Sequence, residues 1–128
     1  MIKLHKQKKG SIIATKKVPK KTVSRWGILS LKNKTKNYFQ ITDVVEKPKT
    51  KDAKSNYAII GRYILPKTIF REIKRLKPGH GKEIHITDAI KNLIYRNENF
   101  YGSIFKGNYL DCGTLDGYIN SSIEISRE

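Results

Sequence analysis

Apolar and polar positions along the chain change period several times. Met1 to Lys9, MIKLHKQKK, reads as one or two helical turns closed by Gly10, with no capping residue at the start. Ser11 to Val18, SIIATKKV, opens apolar and β-branched and predicts a strand ended by Pro19. A basic connection, KKTVSRWG, leads into ILSL and NYFQITDVV, whose β-branched and aromatic content predicts two more strands, with Gly27 at the start of the first. Residues 48–55 fall in a polar, charged and proline-punctuated stretch and predict an exposed basic loop. YAIIGRYIL then reads as a buried strand interrupted by Gly61.

After Pro66 the period becomes helical. KTIFREIKRL places Ile69, Phe70, Ile73 and Leu76 on one face, and KPGHG stops it. Thr87 is the predicted N-cap of DAIKNLIYRN, where Ala89, Ile90, Leu93 and Ile94 recur at helical spacing and Asp88 suits the positive helix start. FYGSIFKG predicts a strand. NYLDCGTLDGYINSSIEISRE predicts a short strand ending at Asp111, a turn at Gly113, and a last helix capped by Thr114 with Leu115, Tyr118, Ile119 and Ile123 inward. The order is mixed α/β, with helices expected to cover a sheet.

Length and charge narrow the partners less than the fold. The 128 residues have room for one domain, 1–128, and 38% hydrophobic content suffices for a modest core. The net charge is +16 from 27 basic and 11 acidic side chains, concentrated in residues 1–54, which hold 16 Lys/Arg against 3 Asp/Glu. That favours phosphate-rich partners, yet most of it is lysine, and nucleic-acid sites add arginine and clustered aromatics. Trp26, Tyr38 and Phe39 could stack bases; aromatic residues in strands are more commonly core. A single cysteine, no membrane-length apolar run and no signal-peptide pattern predict a cytoplasmic protein away from membranes.

Chemistry concentrates in two places. Glu46 and Lys47, held by Pro48 at a strand's C-terminal end, stand where open α/β sheets bind ligands. A carboxylate accepts two sugar hydroxyls and an ammonium neutralises a phosphate, so the pair suits a sugar phosphate; a solvated strand end is the plainer reading. Asp111, between YL and CG, is a carboxylate facing a helix start and could serve Mg²⁺ or simply form a turn. Cys112 reads as a buried, inert thiol. His80, Glu83 and His85 match no zinc spacing and read as solvated loop residues, and the G-x-G at Gly79 and Gly81 follows a helix and reads as a turn.

Taken together, VPKKTVSRWGIL, VVEKPK, SNYAIIGRYIL, PGHGKEIHITDAI and DCGTLDGY resemble, in order and spacing, the C-terminal half of bacterial UTP–glucose-1-phosphate uridylyltransferases, sugar nucleotidyltransferases also called UDP-glucose pyrophosphorylases. The resemblance implies the C-terminal portion of a Rossmann-like mixed-sheet domain, and a reaction that joins UTP to glucose 1-phosphate, giving UDP-glucose and pyrophosphate with Mg²⁺. It also implies roles. Glu46 would accept glucose hydroxyls, Lys47 would contact phosphates as the catalytic residue, Gly27 and Ile59 would offer backbone, and Asp111 would face the metal.

The pattern is also incomplete. No G-x-G-T-R loop and no upstream strand ending in a metal-binding aspartate occur, so the nucleotide-binding N-terminal part is expected to be absent, the sheet to expose an apolar edge or face, and the chain alone to be inactive. A companion N-terminal half would then complete it, or the chain would be a truncated remnant; a homo-oligomer is the other partner expected. The alternative, resting on charge alone, is a non-catalytic basic nucleic-acid-binding module.

Overall fold

The computed structural model describes residues 1–78 and 83–127. Five strands carry the molecule: β1 (Ser11–Lys17), β2 (Gly27–Lys32), β3 (Tyr38–Glu46), β4 (Tyr57–Ile64) and β5 (Phe100–Ile104). They close in the order β1-β4-β2-β3-β5, with β5 returning to β1 in parallel and every other pair antiparallel. The sheet is thus mixed, as predicted. Closure also corrects one expectation: a barrel has no free edge, so the predicted exposed sheet edge is not present among these strands.

The core follows from the strand periodicity. Ile13, Leu29, Phe39, Ile41, Val44 and Phe100 meet Ile59 and Tyr57 inside, where the Phe39 and Tyr57 rings lie edge to face with centroids 4.9 Å apart. Gly102 pairs with Phe39 across β3 and β5, and a Cβ there would come within 2.5 Å of the Phe39 ring. The predicted basic connection is a 3-10 helix, Lys20–Arg25, whose Val23 joins Val18, Ile28 and Ala58 in a second small core. Loop 48–55 is largely exposed, but Pro48 is buried, Ala53 packs on this second core and a 3-10 turn spans Thr50–Asp52. Gly61, the predicted interruption of β4, has φ +72° and sits in an irregularity that sets the pairs Ile13–Tyr63 and Thr15–Ile59 on either side of it. Only glycine adopts that backbone without strain.

The helices are α1 (Ile2–Lys8), α2 (Ile69–Arg75), α3 (Ile86–Tyr95) and α4 (Leu115–Ile125). Lys9, not Gly10, closes α1 in the left-handed region, and Gly10 is needed instead because a Cβ there would lie 2.8 Å from the Asn99 carbonyl oxygen. In α3 the predicted inward residues hold: Ala89, Ile90 and Leu93 are buried and Ile94 packs against them. In α2 the stripe is Ile69, Glu72, Ile73 and Leu76, whereas Phe70 is 68% exposed. Phe70 sits one residue off that stripe, about 100° around the helix.

Glu72 is buried because it is paired. Arg96, at the end of α3, donates Nη1 to Glu72 Oε1, and Arg75 stands 3.6 Å away. Glu72→Ala is expected to cost about 1–3 kcal/mol, the usual range for losing a charge-assisted hydrogen bond. The larger penalty of a stranded buried charge is avoided because Arg96 is half exposed and can turn to water. A urea midpoint unchanged from the parent protein would refute this.

The last helix differs most from expectation. Thr114 does cap it, accepting from the Gly117 N–H at 3.1 Å, but Leu115, Tyr118, Ile119 and Ile123 are exposed and Ser121 is its one buried residue. Residues 105–111 form no strand, so Asp111 does not end one.

Candidate functional site

The end of β3 gathers most of the predicted site. Gly27 and Glu46 face one another across β2 and β3, and beyond them the Lys47 N–H donates to the Trp26 carbonyl at 3.0 Å. Lys47 takes φ 45°, a left-handed conformation uncommon for a residue with a side chain, which turns the chain out of the barrel into buried Pro48. Glu46 is thereby left at the last strand position, with its side chain toward a cavity of about 270 Å³ lined by residues that include Gly27, Trp26, Ile59, Tyr63, His85 and Thr87. That is close to the lower end of small-molecule sites, about 300–1,000 Å³.

Gly27 makes the approach possible. A Cβ on it would stand 3.1 Å from Glu46 Oε2, 3.1 Å from Thr87 Cγ2 and 3.3 Å from Ile59 Cδ1, so residues of β3, α3 and β4 all close in on the space glycine leaves. Thr87 is not the N-cap predicted for α3. His85 precedes the helix, and the Thr87 hydroxyl donates to Glu46 Oε2 at 3.0 Å. Tyr63, in the same wall, has its phenol pushed up first by burial and then by Glu46 and Tyr109, which keeps it a neutral hydroxyl. His85 lines the cavity with only 14% of its side chain accessible, and its Nε2 lies 3.9 Å from Glu83; it is not the solvated loop residue the sequence suggested.

Two of the predicted site residues fall elsewhere. Lys47 is exposed and is not part of the cavity wall. Asp111 lines a separate cavity with Lys16, Asn108 and Tyr109, and its Oδ1 accepts the Gly113 N–H at 3.1 Å in a local turn. Trp26, in the wall of the first cavity, and Tyr109, in the wall of the second, lie edge to face with centroids 5.5 Å apart. Tyr109 is likewise pushed up, by burial first and then by Asp111. Cys112 is exposed, against the expectation of a buried thiol, and His80, Gly79 and Gly81 lie outside the described residues. Of the three aromatics considered for base stacking, Phe39 is wholly buried in the core, Tyr38 lies edge to face with Tyr101 and Trp26 with Tyr109.

The nucleotidyl transferase family model matches residues 1–128. The chain belongs to that family. A UTP–glucose-1-phosphate uridylyltransferase of Pseudomonas aeruginosa is 39% identical over 95% of this chain and 43% of its own length. A putative counterpart from Methanocaldococcus jannaschii is 37% identical over the whole chain and 45% of its own. Among solved structures, a UDP-glucose pyrophosphorylase complexed with UDP-glucose superposes with a TM-score of 0.91 at 38% identity, covering 98% of this chain and 47% of that one. A putative glucose-1-phosphate thymidylyltransferase from Bacillus anthracis gives 0.71 at 27% identity, covering 96% and 46%. The nucleotidyl transferase chain thus spans a little under half the length of these relatives.

Sequence reasoning missed Thr87, Tyr63 and His85 as cavity residues. Thr87 carried a signal, a hydroxyl at a helix start, but that signal is shared by every N-cap. No helix among the described residues is long and apolar enough to cross a membrane.

Proposed function

We propose that this chain supplies the glucose 1-phosphate-binding part of a uridylyltransferase that forms UDP-glucose and pyrophosphate from UTP and glucose 1-phosphate. The observation that carries the reading is the Glu46 carboxylate, fixed at the end of β3 by Thr87 and let into the cavity by Gly27. A carboxylate with one oxygen bound to a hydroxyl keeps lone pairs for vicinal sugar hydroxyls, and such charge-assisted bonds are roughly twice as strong as neutral ones. Lys47, exposed beside Glu46, would meet the sugar's phosphate, and the Gly27 and Ile59 main chain would border the ring. The phosphate oxygen of the bound sugar would attack the α-phosphorus of UTP in line, with pyrophosphate leaving; this chain's share is to hold the nucleophile in place.

Mg²⁺ is the cation the reading implies for phosphoryl chemistry. The described residues do not fit it by themselves: Asp111 is exposed and engaged by Gly113, and no group of three or more His, Cys, Asp or Glu side chains gathers among them. The remaining part of the fold, in a longer chain or a companion, would bring the nucleotide.

Calorimetric titration of the folded protein with UDP-glucose and with glucose 1-phosphate tests the reading. Saturable heat supports it; no heat from either ligand, with and without a nucleotide-binding partner half, overturns it. Gly27→Ala is expected to weaken whichever ligand binds about tenfold, because its methyl must displace the Glu46 carboxylate or the Thr87 side chain. Unchanged affinity would remove Glu46 positioning from the account.

A further inference from the structure

Thr87 departs from what its position invites. Near a helix start a threonine hydroxyl ordinarily caps the backbone, yet α3 has no side-chain cap and the Thr87 hydroxyl is spent instead on Glu46, on a residue only 5% exposed. Its methyl faces the place where a Gly27 Cβ would be, so both branches of the side chain are committed to the corner that holds the carboxylate. In the first turn of α3, with the buried stripe Ala89, Ile90 and Leu93 anchoring that helix on the barrel, Thr87 stands on a rigid element. Glu46, by contrast, is a long side chain at the last residue of a strand, with rotamers to choose among.

We infer that Thr87 is a positioning residue: its hydroxyl selects the Glu46 rotamer that points into the cavity, and the affinity for the sugar ligand depends on it through Glu46. The inference deepens the proposed function and rests on Glu46 binding the sugar. A donor on Oε2 leaves Oε1 and the remaining lone pair of Oε2 for the ligand, which fixes how many sugar hydroxyls the carboxylate can take. Thr87→Val keeps the shape but puts a methyl where the hydroxyl stood 3.0 Å from Oε2, closer than carbon and oxygen pack comfortably, so the carboxylate must swing away.

The test pairs crystal structures of the parent protein, Thr87→Val and Thr87→Ser with UDP-glucose titrations of the same proteins. The expected result is a displaced Glu46 carboxylate and about tenfold weaker binding in Thr87→Val, in a protein that still unfolds cooperatively, with both restored in Thr87→Ser. Should Thr87→Val not fold, Thr87→Ala replaces it, with the same expectation. A carboxylate that stays in place in the variant overturns the inference whatever happens to affinity, since Thr87 would then act by touching the ligand or not at all. Equal affinity of Thr87→Val and the parent overturns it as well. If the parent itself fails to bind, the proposed function fails, while the position of Glu46 in the variant structures still decides whether Thr87 sets it.

Discussion

Replacing Glu46 by alanine is expected to weaken UDP-glucose binding by roughly a hundredfold, the loss of two charge-assisted hydrogen bonds at a partly solvated site. Stability should hardly change. Glu46 packs no core, and the Thr87 hydroxyl it leaves behind opens onto a cavity where water can replace the carboxylate. A thermal midpoint within about 2 °C of the parent, together with lost binding heat, is therefore the expected pair of measurements. Binding retained by Glu46→Ala would move the sugar site away from the end of β3, and the Asp111 cavity would become the place to look. Lys47→Ala should show a milder, salt-sensitive loss, because an exposed ammonium acts on a phosphate largely through screened charge.

The largest stability effect belongs to Phe39. Its ring is fully buried, stands edge to face with Tyr57 and fills the space over Gly102, where no other side chain could fit. Phe39→Ala is expected to cost about 3–5 kcal/mol, a large share of the roughly 5–15 kcal/mol that holds a domain together. Urea unfolding would read this as a lower midpoint at an unchanged slope. The companion change, Gly102→Ala, should also destabilise, since its methyl would overlap the ring. Combined with Phe39→Leu the two should be less costly than their sum, because the smaller side chain gives the methyl room. Additive costs would mean that the ring and Gly102 do not share one space.

Local chemistry was legible where a residue's role is decided by its neighbours in sequence. Pro19 ended a strand, Thr114 capped a helix and Ala89, Ile90 and Leu93 turned inward together. Roles that depend on what faces a residue were not. The period of α4 marks an apolar stripe correctly, but a period names a face and not its partner, and the described residues bury only Ser121. Glu72 displaced Phe70 from the α2 stripe because Arg96, 24 residues later, makes a carboxylate tolerable inside. Cys112 and Asp111 lie on irregular chain after β5, where Tyr109 and Leu110 suggested a short strand that finds no neighbour to pair with among the described residues.

The sequence alone determined five of the six strands read from it, the amphipathic face of α3, and the placing of Glu46 at a strand's end just before Lys47, since these follow from side-chain periodicity and from proline and glycine acting within a few bonds. Tertiary structure decided that the sheet closes, through the parallel pairing of Ser11–Thr15 with Phe100–Ile104, a contact across most of the chain that no local pattern encodes. It also decided the site. Gly27, Glu46, Ile59 and Thr87 lie on four different elements, and they meet because barrel closure and the docking of α3 bring into one corner groups that only their burial and directional hydrogen bonds, not their spacing, could select.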